Sequence, residues 1–109
     1  MADAFLVLGQ VSPAATTVTA LYTVPAATSA SVSSLVVCNR ATSPGTFRVS
    51  VAIAGAVDAT SQYVYYDETI DANDTFAATL GITLATTDVV RCYSSNGTMN
   101  FHLFGVQIS

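Results

Sequence analysis

The chain has 109 residues, 51% of them hydrophobic and only 9% charged, with a net charge of -4. Its basic residues, Arg40, Arg48 and Arg91, are all arginine and lie in three separate segments, so there is no basic stripe for a nucleic-acid backbone. No run reaches the roughly 18 apolar residues of a membrane span, and Met1–Gln10 has neither the basic start nor the apolar length of an export signal, so the reading expects no membrane and no export.

The length fits one domain, residues 1–109. Alanine is frequent but is interleaved with Thr, Ser and Val, which favour strands and turns over helix interiors. Phe5–Leu8 reads as a short first strand. Residues 1–10 fit equally as a strand or as an arm laid on a neighbour, which makes Phe5 and Leu8 candidate interface residues. Thr16–Val24 follows Pro13 and stops at Pro25, and Ala30–Asn39 is the third strand. Phe47–Ala54 alternates most cleanly, with Phe47, Val49, Val51 and Ile53 on one face and Arg48, Ser50 and Ala52 on the other.

Tyr63–Ile70 is the fifth strand, with Tyr63 and Tyr65 on one face and Tyr66 on the other. Phe76–Leu84, Asp88–Ser94 and Thr98–Ile108 complete the set. In the last of these the apolar phase set by Met99, Phe101 and Leu103 shifts after Gly105, which predicts a bulge there. Asn96-Gly97 between two strand runs predicts a type I′ hairpin. The expected fold is all-β: a single antiparallel β-sandwich of about eight strands, jelly-roll-like or immunoglobulin-like. The expected core holds Leu35, Val37, Phe47, Val49, Val51, Ile53, Phe76, Leu80, Ile82, Val90, Phe101 and Leu103.

Residues that could carry chemistry are few. His102 is the single histidine and lies mid-strand, and no nucleophile elbow, phosphate loop or His-Glu-x-x-His motif occurs. Neither enzymatic activity nor a cofactor is expected of these residues. The acidic stretch offers a calcium alternative at Asp71, Asn73 and Asp74, with Glu68 nearby, although the EF-hand spacing is missing and a solvated turn explains the same residues. Cys38 and Cys92 read as two buried thiols, with an inter-sheet disulfide as the alternative. Tyr63, Tyr65 and Tyr93 suit either a protein interface or an aromatic platform for glycan.

The chain contains no lysine, the usual guard of open sheet edges. Closure or a partner must therefore cover those edges, which places the function in assembly.

Several segments carry a family resemblance: Val7-Leu-Gly-Gln10, Leu21-Tyr-Thr-Val-Pro-Ala26, Ser33-Ser-Leu-Val-Val-Cys-Asn-Arg40, Thr46-Phe-Arg-Val49 and Leu80-Gly-Ile-Thr-Leu84. Together the chain resembles small virion proteins of tailed bacteriophages, including phages of cyanobacteria and other aquatic bacteria. The resemblance implies a structural protein of the particle, assembled in the host bacterial cytoplasm. One implied role is an oligomeric capsid decoration or cement protein, a homotrimer seated on the major capsid protein or other virion proteins. The other is a neck, baseplate or tail-fibre component that contacts host-surface glycan.

Overall fold

The computed structural model describes residues 3–109. Eight strands follow one another: β1 (Asp3–Val11), β2 (Thr19–Thr23), β3 (Ser29–Asn39), β4 (Gly45–Ala52), β5 (Tyr63–Ile70), β6 (Thr75–Leu84), β7 (Val89–Ser94) and β8 (Met99–Ile108). They form two four-stranded sheets, sheet I in the order β1-β8-β3-β6 and sheet II in the order β2-β7-β4-β5. From Asp3 onward the N-terminal segment is a full edge strand and not an arm; Met1 and Ala2 lie outside the described residues.

The pairing is nested. β1 pairs with β8, β2 with β7, β3 with β6 and β4 with β5, all antiparallel, as in one long hairpin rolled upon itself. The β3–β8 and β4–β7 ladders then join these pairs into sheets. This is jelly-roll order. An immunoglobulin order would pair the first strand with the second, but here β1 and β2 belong to different sheets. Of the consecutive strands, only β4 and β5 share a sheet.

That topology corrects the expected hairpin at Asn96-Gly97. The segment carries the chain from β7 in sheet II to β8 in sheet I, and neither residue has a positive φ. Asn96 instead shapes the crossing: its Oδ1 accepts from the Thr98 backbone N–H at 3.1 Å, and its carbonyl accepts from the Ser94 hydroxyl.

The core lies between the sheets. Leu35, Val37, Phe47, Val49, Val90, Phe101 and Leu103 are buried, and Val51, Phe76, Leu80 and Ile82 pack at its margin. Phe47 anchors an aromatic cluster, with ring centroids 5.1 Å from Phe76, 5.8 Å from Tyr65 and 5.9 Å from Phe101. Burying one such ring stabilises the fold by roughly 2–3 kcal/mol.

Ile53 is the exception among the expected core residues, at 76% exposed. β4 ends at Ala52 because the chain enters a 3-10 turn, Ile53–Gly55, with Ala54 in the left-handed region at φ 53. The loop then folds back over sheet II. Arg91 Nη1 donates to the Ala56 carbonyl at 2.8 Å and Nη2 to the Gly55 carbonyl at 3.2 Å. Ser50 and Ala52 are buried as a result, although they alternate outward with Arg48.

The bulge expected within β8 lies in its neighbours. β8 alternates without a break through Leu103 and Gly105, while β1 carries an extra residue at Leu8 and β3 another at Ser33. The β3 face consequently switches from Ala30 and Val32 to Leu35 and Val37. β6 adds an irregularity opposite Ser33, so sheet I bends along one line across its strands.

Two buried polar side chains hold the loops at opposite ends. At one end Asn39 Nδ2 donates to the carbonyls of Ser43, Ile70 and Asp71 at 3.1 to 3.3 Å, and its Oδ1 accepts from Ala41 N–H. At the other, the Asp88 carboxylate accepts from the backbone N–H of Ala54 and of Ala85, each at 2.9 Å.

Candidate functional site

The two outer faces of the sandwich differ in chemistry. Sheet II carries a stacked array built on a bulge. Opposite Arg48 on β4, strand β5 presents two residues, Tyr66 and Asp67, with Asp67 in the left-handed region at φ 55. Both therefore meet Arg48. Its guanidinium lies 4.2 Å from the Tyr66 ring centroid and 4.4 Å from that of Tyr93, while Nε and Nη2 donate to the two Asp67 oxygens at 2.7 and 3.3 Å. Tyr63 meets Tyr66 edge to face at 5.1 Å, and its hydroxyl donates to the Asp58 carboxylate. Partial burial, then the Asp58 charge, raise the Tyr63 phenol above its ordinary value, and the hydrogen bond to Asp67 holds the Arg48 guanidinium firmly protonated.

This geometry corrects the expected tyrosine faces. A second register shift between Tyr65 and Tyr63 puts those residues on opposite sides of the sheet. Tyr65 packs inward on Phe47 and Phe76, whereas Tyr63, Tyr66 and Tyr93 surround Arg48 outside. Arg48 covers one face of the Tyr66 and Tyr93 rings and bonds Asp67, so the array acts as a clamp across β4, β5 and β7. Arg48→Lys keeps the charge but loses the planar stacking. The expected cost is about 1 kcal/mol, read as a fall in Tm of roughly 5 °C for a chain of this size. An unchanged Tm would show that the clamp adds no stability.

The outer face of sheet I follows from the ladders, because paired residues share a side. One cross-strand row holds Phe5, Val106, Ser31 and Thr83; the next holds Val7, Phe104, Ser34 and Thr79; a third holds Gln10, His102, Val36 and Ala77. Among the described residues, Asp3 at the start of β1 is the one charged side chain on the four strands of this sheet. Phe5 is 84% exposed and Val7 49%. Leu8, by contrast, is the extra residue of β1 and turns into the core, so of the two N-terminal interface candidates only Phe5 is at the surface.

The sheet edges repeat the contrast. In sheet II, β2 is five residues long and β5 is bulged and carries Asp67 and Glu68, both recognised guards against edge pairing. In sheet I the edges β1 and β6 run nine and ten residues with Asp3 as the only charge between them.

The remaining candidates are placed as follows. His102 sits on the outer face of sheet I, where its Nδ1 accepts from Gln10 Nε2 at 3.0 Å; both line an open cleft of about 360 Å³ with Val11, Ser12 and Asn100. The acidic loop is a tight turn: Asp74 Oδ1 accepts from Thr75 N–H at 2.8 Å, the Asp71 carbonyl accepts from Asn39, and Asn73 has φ 55. Among the described residues no three His, Cys, Asp or Glu side chains converge as a metal site would require.

Both cysteines are free. Cys92 is buried in the core, while Cys38 shares the outer face of sheet I with Asn100 and Thr75, so the inter-sheet disulfide is ruled out by facing. Burial pushes the Cys92 thiol up to about 12. The thiolate is the reactive form. A small thiol reagent is therefore expected to modify Cys38 alone in the native protein and both cysteines in denaturant. Two reactive thiols per native chain would contradict this placement.

Sequence reasoning named none of Asn39, Arg48 or Asp88 as a key residue. Arg48 carried a signal in its position opposite the tyrosine-rich strand; the other two look like ordinary turn residues.

No family model matches the chain, and no curated protein matches it. Among solved structures, a chain of infectious bursal disease virus, Gx strain, superposes with a TM-score of 0.55 at 13% identity. The match covers 97% of the present chain and 32% of the viral one, so this chain spans about a third of that chain's length. The likeness is one of fold.

Proposed function

We propose that the chain is a non-enzymatic structural subunit of a bacteriophage particle, one that decorates or cements the shell and is put together in the host cytoplasm. The fold carries the reading: the chain is a jelly roll, and 97% of it superposes on part of a chain of a virus. The segments that resemble tailed-phage virion proteins point the same way. So does the surface, which is sparing of charge and leaves long edges on sheet I with Asp3 as their one charge, a poor design for a dilute monomer and a workable one for a subunit with neighbours.

The test is fractionation of particles from a host that produces this chain. The chain should band with intact particles on a density gradient and survive washing, in proportion to the shell subunit. A small fixed copy number would move it to a neck, baseplate or fibre. Absence from particles would overturn the reading.

A further inference from the structure

We propose that the outer face of sheet I packs face to face against the same face of a second copy, about a two-fold axis running along the strands between β8 and β3. The inference deepens, and rests on, the reading of the chain as an assembling subunit.

Charge comes first. Each copy carries a net charge of -4, so two copies repel unless they meet where charge is absent. Sheet I comes nearest to such a face: Asp3 at one end of β1 is its single charged strand residue, and Arg40, just past β3, reaches onto Asn100 at one end of the face, away from the Phe5 and Val7 rows. A two-fold contact brings each patch against its own equivalent, and the uncharged rows tolerate that meeting.

Shape comes second. On the β1–β8 side the face rises in a ridge formed by Phe5, Val7, Phe104 and Val106. On the β3–β6 side the same rows hold Ser31, Ser34, Thr79 and Thr83, all short. Between Thr79 and Thr83 comes Gly81, and a Cβ placed there would meet nothing within 4 Å. Rotation about an axis along the strands exchanges the two sides and keeps the rows. The ridge of one copy thereby lies over the trough of the other, Phe5 and Val106 above the partner copy's Ser31–Thr83 row.

Size comes third. Four strands about 4.8 Å apart and nine residues long at about 3.3 Å each give a face of roughly 600 Å² in projection. That is close to the ~800 Å² per partner of a standard stable interface once surface relief is counted.

Cys38 provides a reporter on this face and Cys92 an internal control for folding. The experiment is sedimentation velocity of the full chain over a range of concentrations, with the rate of Cys38 modification followed in parallel. The expected species has twice the mass of the 11.3 kDa chain, and Cys38 modification slows as it forms. Two variants test the face without touching the core: Thr79→Lys in the exposed trough and Phe5→Ser on the exposed ridge. Each should weaken the dimer by about tenfold or more, while Thr17→Lys in the exposed β1–β2 loop leaves it unchanged. Continued protection of Cys92 shows that each variant is folded.

A monomer at every concentration overturns the proposal. So does a trimer, which a two-fold contact cannot build, or a dimer indifferent to both variants with Cys38 equally reactive throughout. These outcomes are separate from the particle fractionation: a monomer that bands with particles defeats the face and spares the function, and a dimer absent from particles does the reverse.

Discussion

Asn39→Ala is expected to lower the unfolding free energy by about 3 kcal/mol, since its two amide N–H groups and its Oδ1 acceptor each contribute roughly 1 kcal/mol and their loss leaves buried partners unsatisfied. Asn39 is fully buried, and its two amide N–H groups are shared among three carbonyls, those of Ser43 in the β3–β4 loop, Ile70 at the end of β5 and Asp71 just beyond it. The Oδ1 accepts from Ala41 N–H, which turns the chain out of β3. Asn39→Asp preserves the shape but replaces the donor with an oxygen facing three carbonyl oxygens, so it should be at least as damaging. Urea unfolding is the measurement, and the midpoint should fall with little change in slope. A loss below about 1 kcal/mol would mean that water takes over the amide's bonds.

Gly105→Ala should cost about 3 kcal/mol, at the upper end for overpacking. A Cβ on Gly105 would run into the Ser31 carbonyl oxygen and come within 3.0 Å of Val32 Cα and Leu8 Cδ1. Two of these obstacles are backbone atoms, which cannot rotate away. Gly81→Ala is the matched control: it is also a strand glycine of sheet I, but its added methyl meets no atom of its own chain within 4 Å. That variant should be neutral or more stable by up to about 1 kcal/mol, because alanine loses less backbone entropy on folding. Equal losses in the two variants would show that glycine is needed for flexibility and not for close approach.

The alternation of apolar residues was a reliable guide to which segments are strands. Tyr63–Ile70 appears with the expected bounds, and the others shift by one to three residues at one or both ends. The same rule failed at bulges, because period-two reading assumes that one residue faces one residue. Tyr63 and Tyr65 separate, and Leu8 turns inward, because an extra residue resets the phase without changing the local pattern. Ile53 failed for another reason: its alternation is continuous with Val51, but hydrogen bonds from Arg91 and to Asp88 fold the following loop back. Strand order was beyond reach because it depends on which distant partners pair, as the Asn96-Gly97 crossing shows. The poverty of charge was legible in the sequence itself. That it concentrates on sheet I became visible only when the ladders assigned each residue to a side.

The nested pairing also orders the events of folding. β4 and β5 meet across a ten-residue connection, whereas the β1–β8 ladder joins Asp3 to Ile108. The entropy of closing a loop rises with its length, so inner pairs form more readily and the outermost closes last. Topologies dominated by distant contacts fold slowly, in roughly milliseconds to seconds. Pulsed hydrogen exchange should find β4 and β5 amides protected before those of β1; simultaneous protection would argue against sequential closure. β1 also carries Phe5 and Val7, half of the ridge on sheet I. A chain caught before its last strand docks lacks half of that ridge, so, if the face of sheet I is an interface as proposed, completing the fold would be a precondition for pairing.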